Sequence, residues 1–62
     1  MNKEGREEYV LEVERVYDEY LDKSEGRGIS YGECAYIEGL KKKELDALYN
    51  EILEELKKYE DS

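Results

Sequence analysis

Between two acidic, helix-patterned arms lies the stretch Ile29-Ser30-Tyr31-Gly32-Glu33-Cys34-Ala35-Tyr36-Ile37-Glu38-Gly39-Leu40, and it constrains the fold more than any other part of the chain. Ser30 followed three residues later by Glu33 has the form of a capping box. The serine hydroxyl accepts from the Glu33 amide, and the Glu33 carboxylate accepts from the Ser30 amide. Ile29 before the cap and Cys34 four residues into the helix are spaced for a hydrophobic staple. Gly39 is placed to end the helix in a left-handed conformation, with Leu40 folding back as its apolar clasp. A helix of about two turns over 31–38 is therefore expected, with both ends specified. Gly32 in the first turn weakens it, so the helix needs tertiary contacts, and the glycine is open to a second role in close helix packing.

Both flanks read as longer helices. Residues 1–5 are expected to be a frayed start. From Arg6, Tyr9, Val13, Val16 and Tyr20 recur at helical spacing, and Val10, Tyr17 and Leu21 widen the stripe to roughly 140° of arc. Leu11 falls outside it, on the polar side, and is expected to be exposed, with an intermolecular contact as the sharper reading. The loop Ser24-Glu25-Gly26-Arg27-Gly28 follows, Gly26 suiting the helix C-terminus and Gly28 the turn. Beyond the central stretch, Leu45, Leu48, Tyr49, Ile52, Leu53, Leu56 and Tyr59 share one face of a last helix, with Glu54 and Lys58 spaced as an i,i+4 pair. Lys42 and Lys43 in its first turn oppose the helix dipole, and Glu44 partly compensates. The expectation is a single all-α domain with helices at about 6–24, 31–38 and 42–59. The two long helices would pack antiparallel, with the short capped helix across one end.

A chain of 62 residues buries a modest core, and with Cys34 as its lone cysteine no intrachain disulfide can reinforce it. With no histidine, a structural zinc site is not expected either. Eighteen acids against ten bases give a net charge of −8. The charge is uneven: residues 1–26 and 44–62 are each net −5, while Arg27, Lys41, Lys42 and Lys43 leave the middle net +2. Neither a bilayer-spanning run nor a secretion signal is evident, so a soluble cytoplasmic protein is expected.

From Tyr31 onward the chain resembles a helix-turn-helix. Ala35 stands where a small residue lets two helices cross, Gly39 at the turn, and Leu40, Leu45 and Leu48 at packing positions. The resemblance implies a small, dimeric DNA-binding regulator reaching DNA through Lys41, Lys42, Lys43 and Asn50. Glu38 departs from the apolar residue usual before the turn glycine. The acids Glu51, Glu54 and Glu55 and the net charge also oppose phosphate binding, so packing geometry without nucleic-acid binding is the preferred reading. The same Ile-Ser-Tyr-Gly-Glu-x-Ala-Tyr-Ile segment, with Leu40 and Glu44-Leu45, resembles small helical proteins of bacteriophages and mobile elements of Gram-positive bacteria over about residues 29–53. That resemblance implies an origin, and through it an inhibitor of a host protein.

Two further features point to interaction. Carboxylates one helical turn apart stand about 6 Å from each other, near the spacing of phosphates along a nucleic-acid strand. Glu12 and Glu19 on the first helix are thus candidate contacts of a DNA-like surface, against the plainer reading of a solvated face that Arg15, Lys23, Lys57 and Lys58 interrupt. Of seven tyrosines, Tyr9, Tyr17, Tyr20, Tyr49 and Tyr59 lie on core faces, their hydroxyls expected to reach water at the edge. One of Tyr31 and Tyr36 is expected to contact a partner, since an eight-residue helix cannot bury both its faces. Spacing favours the core for Tyr31 and leaves Tyr36 open. No Ser/His/Asp or Cys/His constellation can be assembled. Cys34, whose place early in a helix could lower its pKa, is more simply a small apolar residue. No phosphate loop or EF-hand spacing is present. The expectation is a non-enzymatic acidic interaction module with no cofactor.

Overall fold

The computed structural model describes residues 3–60, which form three helices: α1 (Lys3–Glu25), α2 (Tyr31–Glu38) and α3 (Lys42–Glu60). The first helix begins at Lys3, so residues 3–5 of the expected frayed start are helical; Met1 and Asn2 lie outside the described residues. Gly26 ends α1 at φ 70°, its amide donating to the Asp22 carbonyl at 3.1 Å. That is the left-handed closure glycine adopts at little cost.

The two long helices run in the same direction. Tyr9 donates to Asp46, Tyr49 donates to Glu12 at 3.2 Å, and the Tyr20 and Tyr59 rings meet edge to face at 6.4 Å. Residue numbers thus rise together along the α1–α3 seam. The expected antiparallel packing is corrected, and so is the placing of α2 across one end. The reason lies in the connection. Residues 27–30 form a loop that ends in extended backbone at Ser30, α2 adds about 12 Å of rise, and residues 39–41 complete the return. Together these carry the chain back along α1 before α3 begins. The long axis of 38 Å is close to the length of α1 alone.

Both ends of α2 are tied to its surroundings. At its start the Ser30 hydroxyl accepts from the Glu33 amide at 3.2 Å, and Glu33 Oε1 accepts from the Ser30 amide at 3.0 Å, completing the capping box. Arg27 grips the same carboxylate at 2.8 and 3.2 Å and also reaches Glu25. Asp18 on α1 accepts the Ile29 amide at 2.8 Å. At its end the Arg6 guanidinium donates to the carbonyls of Glu38 and Leu40 at 3.1 and 2.7 Å. Gly39 closes α2 with φ −87°, a right-handed and not a left-handed cap, its amide reaching the Ala35 and Tyr36 carbonyls. With Arg6 occupying the orphan carbonyls, the left-handed reversal is not needed. Gly32 is exposed, with only Ser30 Oγ near the place of an added Cβ, so it serves no close packing.

Val10 and Val13 of α1, Ile37 of α2 and Leu45 of α3 form one buried cluster, with Ile29, Leu40 and Leu48 packed against it. Val16, Ile52 and Leu56 form a second toward the other end. The wide stripe of α1 is explained by its two neighbours, because it must face α2 and α3 at once. Leu53 and Tyr59, at the margins of the α3 stripe, remain 40% exposed. Lys58 pairs with Glu55 at 3.1 Å, one turn back, and not with Glu54 as expected.

Candidate functional site

Of the two candidate acids on α1, one is structural. Glu12 is half-buried, takes a two-pronged contact from Arg15 at 2.9 and 2.8 Å, and accepts the Tyr49 hydroxyl. These donors, Arg15 foremost, hold its carboxyl below the usual range. It braces α1 against α3 and is not free to mimic a phosphate. Glu19 stands exposed two turns further along α1. The tyrosine hydroxyls also depart from the expectation of water-facing edges. Tyr9 and Tyr49 donate to carboxylates across the seam, and their rings stack edge to face at 5.7 Å.

The residues of the helix-turn-helix resemblance are scattered in role. Ala35 is exposed, so it is not the residue at which two helices cross. The Lys41 amide donates to the Glu44 carboxylate at 2.9 Å, capping α3. Lys42 is paired with Asp46 at 3.1 Å and lies over the Tyr9 ring at 5.7 Å. Lys43 and Asn50 are exposed. One of the three lysines is therefore engaged in the fold.

Tyr31 is 92% exposed and Tyr36 63% exposed, correcting the core placing of Tyr31. The physical cause is the shortness of α2, whose one buried side chain is Ile37. Five residues apart, the two rings project about 140° from each other around the axis, so they do not form a single patch. Tyr31 shares its stripe with Ala35 and Glu38, one and two turns on.

Of these, Glu38 lines a groove of about 540 Å³ between α1 and α2. Buried Val10 and half-buried Cys34 line its depth. Leu11, 63% exposed, stands on the α1 side, flanked one turn in each direction by Glu7 and Glu14. Glu38 faces them from α2, and Arg6 at the end is committed to backbone carbonyls. Burial pushes the Glu14 carboxyl up, and the neighbouring Glu38 charge adds to the shift. Burial, with Glu14 and Glu38 beside it, likewise raises the Cys34 thiol, which disfavours the reactive thiolate. Leu11 taken singly does not reveal the groove. Its signal was the Glu7, Leu11, Glu14 spacing, a leucine framed by acids on one helix stripe.

Among the described residues no cluster of histidine, cysteine, aspartate and glutamate is arranged to hold a metal ion, and no helix is long and apolar enough to cross a membrane. No protein-family model, curated protein or solved structure matches the chain.

Proposed function

We propose that this chain is a small, non-enzymatic, acidic protein-interaction module that contacts its partner through α1 and α2. The observation that carries this reading is the exposure of Leu11, Tyr31 and Tyr36, the three most exposed large apolar side chains among the described residues, while the apolar stripes of α1 and α3 are packed in the core. Tyrosine is a residue of choice for such contacts, giving large area for little lost rotamer freedom. The resemblance over residues 29–53 implies a phage or mobile-element origin. In that setting the partner is a host protein and the module its inhibitor. Among the candidate acids, Glu19 is available for an electrostatic contribution and Glu12 is not. The net charge of −8, the engagement of Lys42 and the exposure of Ala35 weigh against the DNA-binding alternative.

The test is affinity capture from a Gram-positive host lysate on the tagged chain, with nuclease, comparing the native protein with a Tyr31→Ser/Tyr36→Ser variant. A stoichiometric protein partner lost with the two tyrosines is the expected result. The variant's thermal midpoint should hold, since exposed substitutions stay within about 0.5 kcal/mol. Capture that is indifferent to the tyrosines and to Leu11→Ser alike, or that yields DNA and vanishes with nuclease, would overturn the reading.

A further inference from the structure

We infer that the α1–α2 groove is the docking site for a basic amphipathic helix of the partner, which seats an aliphatic side chain beside Leu11 and sets Lys or Arg against Glu7, Glu14 and Glu38. The inference rests on the reading of the chain as an interaction module and names the class of partner for one of its surfaces.

Charge complementarity carries the choice of occupant. Glu7, Leu11 and Glu14 lie at i, i+4 and i+7 of α1, and Glu38 stands across from them on α2. An apolar residue framed by acids at helical spacing is complemented by an apolar residue framed by cations at the same spacing. None of the ion pairs among the described side chains involves these three carboxylates, and Arg6, which lines the groove, donates to the Glu38 and Leu40 carbonyls. Glu14 is the most informative of them. It is half-buried, and both burial and Glu38 disfavour its charge. An incoming cation offsets the repulsion that Glu38 exerts on this carboxylate and supplies the opposite charge it lacks. A second copy is the wrong occupant, because a chain of net −8 brings like charge to an acidic rim. A small neutral ligand is disfavoured as well, since the groove is open and its polar groups are carboxylates, not the mixed donors and acceptors that orient such ligands.

The experiment uses a fluorescein-labelled synthetic helix-forming peptide with leucine on one stripe and lysine elsewhere, and a scrambled peptide of the same composition. Fluorescence anisotropy gives the affinity of the full chain for each. Leu11→Glu decides the question, because it adds a negative charge while removing the apolar seat. Seating beside Leu11 predicts an affinity for the amphipathic peptide at least about tenfold weaker. Attraction by net charge alone predicts equal or tighter binding, and that result would overturn the inference. Glu14→Gln/Glu38→Gln should weaken binding severalfold more than Glu51→Gln/Glu54→Gln, which removes the same charge from α3; equal losses would also overturn it. Preference for the amphipathic over the scrambled peptide is expected, and absence of preference counts against the groove. Leu11 is exposed, so a retained thermal midpoint verifies that Leu11→Glu folds, and Leu11→Ser serves as a second variant. Carried through the lysate capture, the same variants separate the two claims. A partner kept by Leu11→Glu but lost with Tyr31→Ser/Tyr36→Ser removes the groove and leaves the interaction module standing. A capture unchanged by every variant removes the module itself.

Discussion

Two side-chain clusters show how individual residues set the stability of so small a chain. Tyr9 donates to Asp46, which also takes Lys42 at 3.1 Å. The bond to Asp46 comes first, then burial, in pushing the Tyr9 hydroxyl from 10.0 up to about 12. A folded-state pKa above the unfolded one means a contribution present below pH 10 and lost as the pH climbs toward 12. Alkaline titration of the thermal midpoint should therefore show a fall in that window for the native protein and a shallower one for Tyr9→Phe. Identical slopes would show that the bond across the seam is not formed in solution. At the other pole, Arg27 and then Ser30 hold the Glu33 carboxyl at about 2, against an ordinary 4.5. Here the sign reverses: the contribution is present above pH 4.5 and drains away as the pH falls toward 2. Glu33→Gln should flatten the acid limb of the stability profile. Ser30→Ala, which deletes the other half of the box, should cost about 1 kcal/mol at neutral pH in chemical denaturation.

At the scale of elements, α2 makes the architecture. It is too short to be stable alone, yet it sets the direction of α3 by returning the chain to the start of α1. What holds it is Ile37, fully buried between Val13 and Leu45, with Arg6 and the Ser30–Glu33–Arg27 cluster at its ends. Ile37→Ala should cost about 2–5 kcal/mol, far more than the exposed Tyr31→Ala a turn and a half away. Helix direction has its own check. With Cys34→Ser as background, spin labels at Glu19 and Lys58 should lie close, and labels at Glu8 and Lys58 clearly farther apart, being offset by about 16 Å along the helix axis. The reverse order would restore the antiparallel packing. Periodicity could not decide this, because a stripe records which face is buried and not which way the neighbour runs. The capping box, the stripes and the helix limits were legible because they are written in local spacing. Arg6 over the α2 carbonyls and Asp18 on the Ile29 amide were not, since both reach across from α1 to a segment far along the chain. Tyr31 was misplaced for a related reason: an apolar ring suggests a core, but α2 has one buried position to offer and Ile37 holds it.

For the whole molecule the deciding quantity is charge. Five ion pairs are formed among the described residues, all between partly exposed side chains. Pairs of this kind contribute about 0–1 kcal/mol each, and most are local along one helix. Against them stands the self-repulsion of a net −8 on 62 residues, acting over a Debye length of about 10 Å at 0.1 M salt. Repulsion should win, so the thermal midpoint should rise as salt is added from low ionic strength; a fall would mean that the ion pairs dominate. Glu14 concentrates this cost in one place. Burial and Glu38 raise its pKa, so the group's contribution to stability is present at acid pH and lost as the pH rises through its folded value. At neutral pH it destabilises the fold. Glu14→Gln should accordingly raise the midpoint at neutral pH and low salt, whereas the same change at exposed Glu51 should gain less. If Glu14→Gln instead lowers the midpoint, the carboxylate has a favourable partner in solution and is not held against the interests of folding. A gain in stability joined to a loss of affinity for the basic peptide would identify Glu14 as a residue kept for binding, of the kind expected where activity and stability compete.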